Sequence, residues 1–335
     1  MNEKNVTPDA AKKIMQTELG GSGYCKKYNR SIMKAQQYFL NWLEENGISD
    51  LSIVAKKDLC NFQKDLLSVV SEQTGKQLAR GTLSDRYNAV KILFSALCRA
   101  GLLHENITSG LNFELPKTEG LKRQAFTDEA MSEILDKMDI NTAIGLRDRA
   151  LFELIYSSGL RVSEASKLTI KDVSLERREM VVRGKFARDR VVPISKVARD
   201  YLAIYLENRV YNNKEGPVFC GIYGAAAGRS LRPDSISRRF TELLRKNNMK
   251  RKELSAHSIR HTSASQLLDR GAGIRYVQEL LGHKNPETTA GYTHTQGERL
   301  AKIYRKYHPQ EHDLFDAVDS GYKKRLAFTL GVNIG

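Results

Sequence analysis

The sequence predicts a mainly α-helical protein of two domains, an all-helical domain followed by an α+β domain that is mixed helical with a small β-sheet. Three observations predict it. Before residue 115 the apolar residues recur only at steps of three and four, the period of a helix face. After residue 125 the helical stripes are broken by two short β-rich runs, Met180-Val181-Val182 and Arg190-Val191-Val192-Pro193-Ile194, around a basic Gly184-Lys185 turn, the pattern of a hairpin. The chain has 335 residues, 41% of them hydrophobic, which exceeds one small core and fits two domains of ordinary size.

Taken in order, residues 1–24 are polar, end in Gly20-Gly21-Ser22-Gly23, and are expected to form a flexible lead-in. A helical domain is expected over 25–113. Its stripes are Ile32, Phe39, Trp42 and Leu43; then Leu59, Phe62, Leu66 and Val70; then Leu83, Tyr87, Val90, Phe94 and Leu97, closed by Gly101. Residues 114–125 are polar, hold Pro116 and Gly120, lack periodicity, and are expected to be the linker. The second domain is expected over 126–307. Thr127 caps its first helix, with Asp128 and Glu129 at the positive end of the dipole and Met131, Ile134, Leu135 and Met138 as the buried stripe. A helix over about 146–158 stops at Gly159. After the hairpin, helices are expected near 197–209, 235–247, 257–270 and 274–281, with Gly271 and Gly282 at C-terminal caps. Residues 308–335 form a tail in which Leu314, Phe315 and Val318 lie among Asp313, Asp316 and Asp319. A helix that short is not stable alone in water, so this face is expected to dock, in trans on a neighbouring copy.

Charge narrows the partner. Lys plus Arg number 54 against 39 Asp plus Glu, a formal net charge of +15. Residues 1–115 carry 15 basic and 12 acidic side chains and residues 308–335 carry 3 and 4, so the excess is concentrated in 116–307. An excess of that size points to a polyanion, and nucleic acid is the commonest one. The four cysteines, Cys25, Cys60, Cys98 and Cys220, form no CxxC pair, which argues against a zinc site or disulfide framework. No apolar run approaches the roughly 20 residues of a membrane span. The N-terminus lacks a signal-peptide core. A cytoplasmic, membrane-free protein is expected.

Five segments carry chemistry: Gly159-Leu160-Arg161-Val162-Ser163-Glu164, Arg183-Gly184-Lys185, His257-Ser258-Ile259-Arg260-His261, Leu280-Leu281-Gly282-His283 and Tyr292-Thr293-His294. Phosphodiester exchange gathers negative charge on non-bridging oxygens, and two guanidinium forks are the natural clamp. A phenol can attack, form an ester and later leave. The departing 5′ oxygen needs a proton, which Lys or His can donate. His257 and Arg260 are three apart on one helix face, Lys185 is at a hairpin tip, and His283 follows a helix end.

In this order the segments resemble the tyrosine recombinase, or phage integrase, family. The resemblance covers 127–307 as the family's catalytic domain and, more weakly, 28–112 as its helical core-binding domain. It implies a catalytic set of Arg161, Lys185, His257, Arg260, His283 and the nucleophile Tyr292. Phe186 departs from the usual Gly-Lys-Gly turn, and Gly291 precedes the nucleophile. Glu164 is expected to hold Arg161 or its loop, and His261 to pack beneath the site; His294 and His308 are expected at the surface. For DNA contacts the candidates are Arg80, Thr82, Ser84 and Arg86 opening the strongest stripe helix, and Arg232, Arg238 and Arg239 in a helix that the resemblance puts in the major groove.

The resemblance further implies a two-domain clamp on double-stranded DNA at specific recombination sites. It implies a 3′-phosphotyrosyl intermediate and a Holliday junction within a homotetramer, with no metal, ATP or other cofactor. The short lead-in favours a simple Xer-like or resolvase-like member over a lambda-type one. Two alternatives stay open at this point: a type IB topoisomerase-like or telomere-resolving enzyme, and a DNA-binding module with a dead site.

Overall fold

The computed structural model describes residues 5–21, 23, 26–71, 75–112, 125–184, 189–211, 213–249, 254–282 and 294–311. The chain divides between Gly120 and Leu121 into two compact units, inside the segment expected to link them.

The first unit has four helices, α1 (Pro8–Gly21), α2 (Lys26–Glu45), α3 (Lys56–Ser68) and α4 (Arg80–Arg99). Helix α1 corrects the expectation of a flexible lead-in. Pro8 stands at its first position, where a missing N–H costs nothing, and Thr7 Oγ1 accepts from the Ala10 N–H. Ala11, Met15 and Leu19, at steps of four, are buried against the core shared with α2 and α4. Just before it, Val6 is buried, its N–H donating to Asp50 Oδ1 at 2.8 Å and its carbonyl accepting from Leu51 at 2.9 Å. The α4 stripe of Leu83, Tyr87, Val90, Phe94 and Leu97 is buried throughout. Phe39, Trp42 and Phe62 gather beside Phe94 of that stripe as an aromatic cluster, with Phe39 and Phe62 edge to face at 4.8 Å. Val70 departs from its expected stripe. Helix α3 ends at Ser68, and Val70 is 55% exposed.

The second unit holds α5 (Asp128–Asp136), α6 (Ala143–Ser158), α7 (Val162–Lys167), strands β1 (Val173–Ser174), β2 (Glu179–Val182) and β3 (Arg190–Pro193), then α8 (Lys196–Asn208), α9 (Pro233–Lys246), α10 (Ala256–Asp269), α11 (Ile274–Leu281) and α12 (His294–Tyr307). Thr127 Oγ1 accepts from the Ala130 N–H, the cap expected of it. The sheet is antiparallel in the order β1-β2-β3, with Met180 opposite Val192 and Val182 opposite Arg190. These four residues form its inward face. Strand β1 is two residues long and left no period in the sequence. No helix among the described residues is long and apolar enough to cross a membrane.

Helix α6 runs through the middle of this unit, with every residue from Leu146 to Ser158 buried. A helix buried all round must satisfy its polar groups internally. Arg149, 2% exposed, donates to Glu153 at 2.7 Å and to Asp136 at 2.9 Å, and lies over the Tyr201 ring. Ser157 Oγ shares a hydrogen bond with Tyr304 on α12 and accepts from the Ser195 N–H at 2.8 Å.

The start of the expected tail belongs to this network. His308 is fully buried, stacked on Tyr304 at 4.5 Å, which corrects its expected surface position. Gln310 donates to Glu153 Oε2 at 2.6 Å and accepts from Ser195 Oγ at 2.7 Å. Glu311 accepts from Arg178 and from the Lys196 N–H. Residues 308–311 pack on the second unit of their own chain, where their polar groups complete buried pairs. The apolar set Leu314, Phe315 and Val318 lies outside the described residues. Replacing Gln310 with Ala strips one Glu153 oxygen of its donor in a buried setting. We expect a loss of about 1–3 kcal/mol in unfolding free energy, read by denaturant titration of the full chain.

Candidate active site

The site begins at the α6–α7 turn. Gly159 has φ of +56°, and a Cβ there would lie 2.7 Å from Leu281 Cδ2. Only glycine permits both the left-handed backbone and the close approach of the α11 end. The chain then reverses so that Arg161 is the N-cap of α7, and its N–H donates to Glu164 Oε2 at 2.8 Å.

Glu164 is the centre of the arrangement. Arg161 Nη1 donates to its Oε1 at 2.9 Å. Arg190, on β3, donates from Nη1 to Oε1 and from Nη2 to Oε2, both at 3.0 Å. Arg260, on α10, has Nη1 3.7 Å from Oε2. Arg260 also donates to the Gly159 and Leu281 carbonyls, each at 2.5 Å. Arg190 Nε reaches the Leu280 carbonyl at 3.1 Å. Helices α6, α7, α10 and α11 and strand β3 thus converge on one carboxylate. Arg190 was not singled out in the sequence. Its signal was there: an arginine in step with Val192 on the inward face of a strand.

The electrostatics follow from three guanidiniums around one carboxylate. Burial alone would raise the Glu164 carboxyl, but the hydrogen bonds and charge of Arg190, and then the bonds from Arg161, hold it below its ordinary value. Burial, and next the neighbouring Arg161 charge, push Arg260 down to about 10. A buried cation held against a like charge is relieved by an arriving anion. Arg161 is the more open of the pair, with 39% of its side chain exposed. Each guanidinium keeps N–H groups beyond those committed to the protein. Two guanidiniums placed in this way suit an oxyanion.

The other expected residues separate into groups. His257 is exposed in the first turn of α10, one turn before Arg260. His261 is exposed as well, paired with Ser265 Oγ at 3.2 Å, rather than packed beneath the site. The turn of about 100° per helix residue carries it away from the inward Arg260. Lys185, His283 and Tyr292, and the side chain of His294, lie outside the described residues. Arg183, at the hairpin stem, donates to Asp172 at 3.1 Å.

Of the candidate DNA contacts, Arg232 is exposed as the N-cap of α9 and Arg238 is exposed on that helix, while Arg80 and Thr82 are exposed on the first turn of α4. Arg239 is engaged by Asp148, which also accepts from Arg147. Ser84 accepts from Asn88, and Arg86 lies over the Tyr38 ring at 3.6 Å. These last three have structural partners that the sequence reading did not foresee.

Residues 124–299 match the family described as the Phage integrase family, over more than half of the chain. The chain belongs to the phage integrase family. This family member is 32% identical over 290 residues to the tyrosine recombinase XerC of Pelotomaculum thermopropionicum, covering 85% of this chain and 92% of that one. It is 31% identical over 274 residues to the tyrosine recombinase XerC of Bacillus subtilis, covering 81% and 87%. Among solved structures it resembles the Tn1549 transposon integrase in complex with circular intermediate DNA, at a TM-score of 0.60 and 15% identity over 86% of this chain and 97% of that one. It also resembles lambda integrase in a tetramer bound to a Holliday junction, at 0.62 and 14%, over 86% and 80%. At such identities these structures speak for the fold, which is the mainly helical one with a small sheet.

Glu164 ties the site of this family member to pH. Its carboxyl falls below the ordinary value of 4.5 on folding. A depressed acid stabilises the fold fully above its unfolded pKa, and that contribution is lost as pH drops through the folded value. Glu164→Gln should therefore be less stable than the native chain by a constant margin between pH 6 and pH 7. The margin should shrink below about pH 4.5, where the unfolded carboxyl titrates. Urea unfolding of both proteins across that range measures it, and a margin that widens towards acid would refute the assignment.

Proposed function

We propose that this chain is a site-specific DNA recombinase that cleaves and rejoins strands through a covalent tyrosine intermediate. The observation that carries the reading is the convergence of Arg161 and Arg260 on one carboxylate, with excess positive charge left for an anion. In this reading the two guanidiniums hold the non-bridging oxygens of the scissile phosphate. The Tyr292 phenol gives up its proton to solvent as its oxygen attacks phosphorus, the bond to the 5′ oxygen breaks, and a 3′-phosphotyrosyl ester forms. The leaving 5′ oxygen takes a proton from Lys185 or His257, and His283 lines the phosphate. A 5′ hydroxyl from a partner strand then attacks the ester and releases Tyr292. The ester conserves the phosphodiester bond energy, so neither ATP nor a metal enters the balance.

Two rounds of exchange at paired sites pass through a Holliday junction in a homotetramer. Exposed arginines on α4 and α9, Arg80, Arg232 and Arg238, supply phosphate and base-edge contacts, with Arg86 and Arg239 oriented by their structural partners. Thr82 and Ser84 complete the α4 set.

On a nicked suicide duplex, the native chain should accumulate a covalent protein–DNA adduct and Tyr292→Phe none, while gel-shift binding changes by less than about threefold, because the ring remains and only the nucleophile is lost. A surviving adduct in Tyr292→Phe would exclude that residue as nucleophile. Adduct formation should also persist in excess EDTA without ATP, since Arg161 and Arg260 bring the positive charge. Strict magnesium dependence of cleavage would count against the mechanism. Products that join two sites, rather than a plasmid merely relaxed at one, separate a recombinase from a type IB topoisomerase-like enzyme.

A further inference from the structure

The Glu164 carboxylate faces three guanidiniums, and they are not equivalent. Arg161 makes one side-chain bond to it and stays 39% exposed. Arg260 stands off at 3.7 Å and has other partners. Arg190 alone makes the parallel two-bond fork, is 6% exposed, and commits Nε, Nη1 and Nη2 within the protein. With every nitrogen engaged in that way, Arg190 is not itself placed to bind a phosphate.

We propose that Arg190 is a positioning residue that absorbs the negative charge of Glu164, so that Arg161 and Arg260 keep their charge for the scissile phosphate. The proposal rests on the recombinase reading above. A carboxylate interacts most strongly with the guanidinium that meets it in the bidentate geometry. With that fork in place, Glu164 can anchor the Arg161 backbone without neutralising the Arg161 and Arg260 pair. Without Arg190, the cations left facing the carboxylate among the described residues are Arg161 and Arg260, and Arg260 is already 3.7 Å away. It would close on them and weaken their hold on an anion, most of all on the more highly charged transition state.

Position adds a second role. Arg190 opens β3, five residues after Lys185 in the sequence, and its Nε holds the Leu280 carbonyl at the end of α11. A Cβ at Gly282 would stand 3.0 Å from Arg190 Nη1, so the glycine next to His283 is also the room this guanidinium needs.

A merely structural bridge and a charge-absorbing one differ in what they predict. The experiment is single-turnover cleavage of a suicide duplex by the full-length native chain, Arg190→Lys, Arg190→Gln, Arg190→Gln with Glu164→Gln, and Tyr292→Phe. Melting temperature and DNA affinity are measured for each. Lys keeps the charge but not the fork or the Leu280 bond, and Gln keeps neither charge nor fork. Both single variants should melt below the native chain and close to one another. Cleavage should fall about tenfold in the Lys variant and about 100-fold in the Gln variant, with affinity nearly unchanged. Adding Glu164→Gln to Arg190→Gln should restore about tenfold, a coupling of opposite sign to two independent losses.

A double variant no faster than Arg190→Gln, or a cleavage rate that simply follows melting temperature, overturns the proposal. Should Arg190→Gln fail to fold, Arg190→Lys with and without Glu164→Gln makes the same comparison, and the pair must again be the faster. No adduct from the native chain sinks the recombinase reading and this proposal with it. A native adduct combined with either overturning result sinks the role of Arg190 alone.

Discussion

Like charges repel, and this fold gathers three arginines within reach of a single half-buried carboxylate. The constraint shapes what surrounds it. Glu164 must sit at the third position of α7, where it can accept from the helix-opening N–H of Arg161 as well as from side chains. Gly159 must allow the left-handed turn that brings α7 round to meet α11. Strand β3 must deliver an arginine inward where a hydrophobic residue would be the ordinary choice. Removing the carboxylate would leave cations in a partly desolvated space without a counter-charge, the situation in which burial is most costly. The site's capacity for an anion and its dependence on one acid are thus the same property.

A second polar network, along α6, does for the frame what Glu164 does for the site. Arg149, Glu153 and Gln310 link the central helix to the segment following α12, and Ser157 links it to Tyr304. Ser157 lies four residues before Arg161, so the buried helix that carries the frame's hydrogen bonds runs directly into the turn that carries the site's. The two networks do not share a residue, but they share α6. Rigidity of that helix sets how closely Arg161 can be placed.

Much of this was legible in the sequence, because it depends on local pattern. The stripes of α2 and α4, the Thr127 cap, the hairpin and the stops at Gly159 and Gly282 are each written in a few neighbouring residues. The ordered set of Arg161, Glu164 and Arg260 was legible for its chemistry. What escaped was sparse or non-local. Helix α1 buries only Ala11, Met15 and Leu19 amid polar residues, too thin a stripe to outweigh the composition and the run of glycines. Helix α12 has a readable stripe of Leu300, Ile303, Tyr304 and Tyr307, overshadowed by the motif before it. The burial of His308 and Gln310 depends on partners some 110–160 positions away in sequence, which no local pattern announces. Arg190 was hidden for the same reason, since its meaning lies in Glu164 and Leu280 rather than in its neighbours.

The strap of residues 308–311 has a mechanical consequence. Glu311 is gripped by Arg178 and the Lys196 N–H, Gln310 by Glu153 and Ser195, and Tyr304 by Ser157. Tension on the chain beyond Glu311 meets these fastenings in series before it reaches the start of α12. They load against α6, the start of α8 and the β1–β2 turn that carries Arg178. The strap acts as a strain relief, like the collar on a cable. A pull applied beyond Glu311 is grounded in the frame before it loads α12.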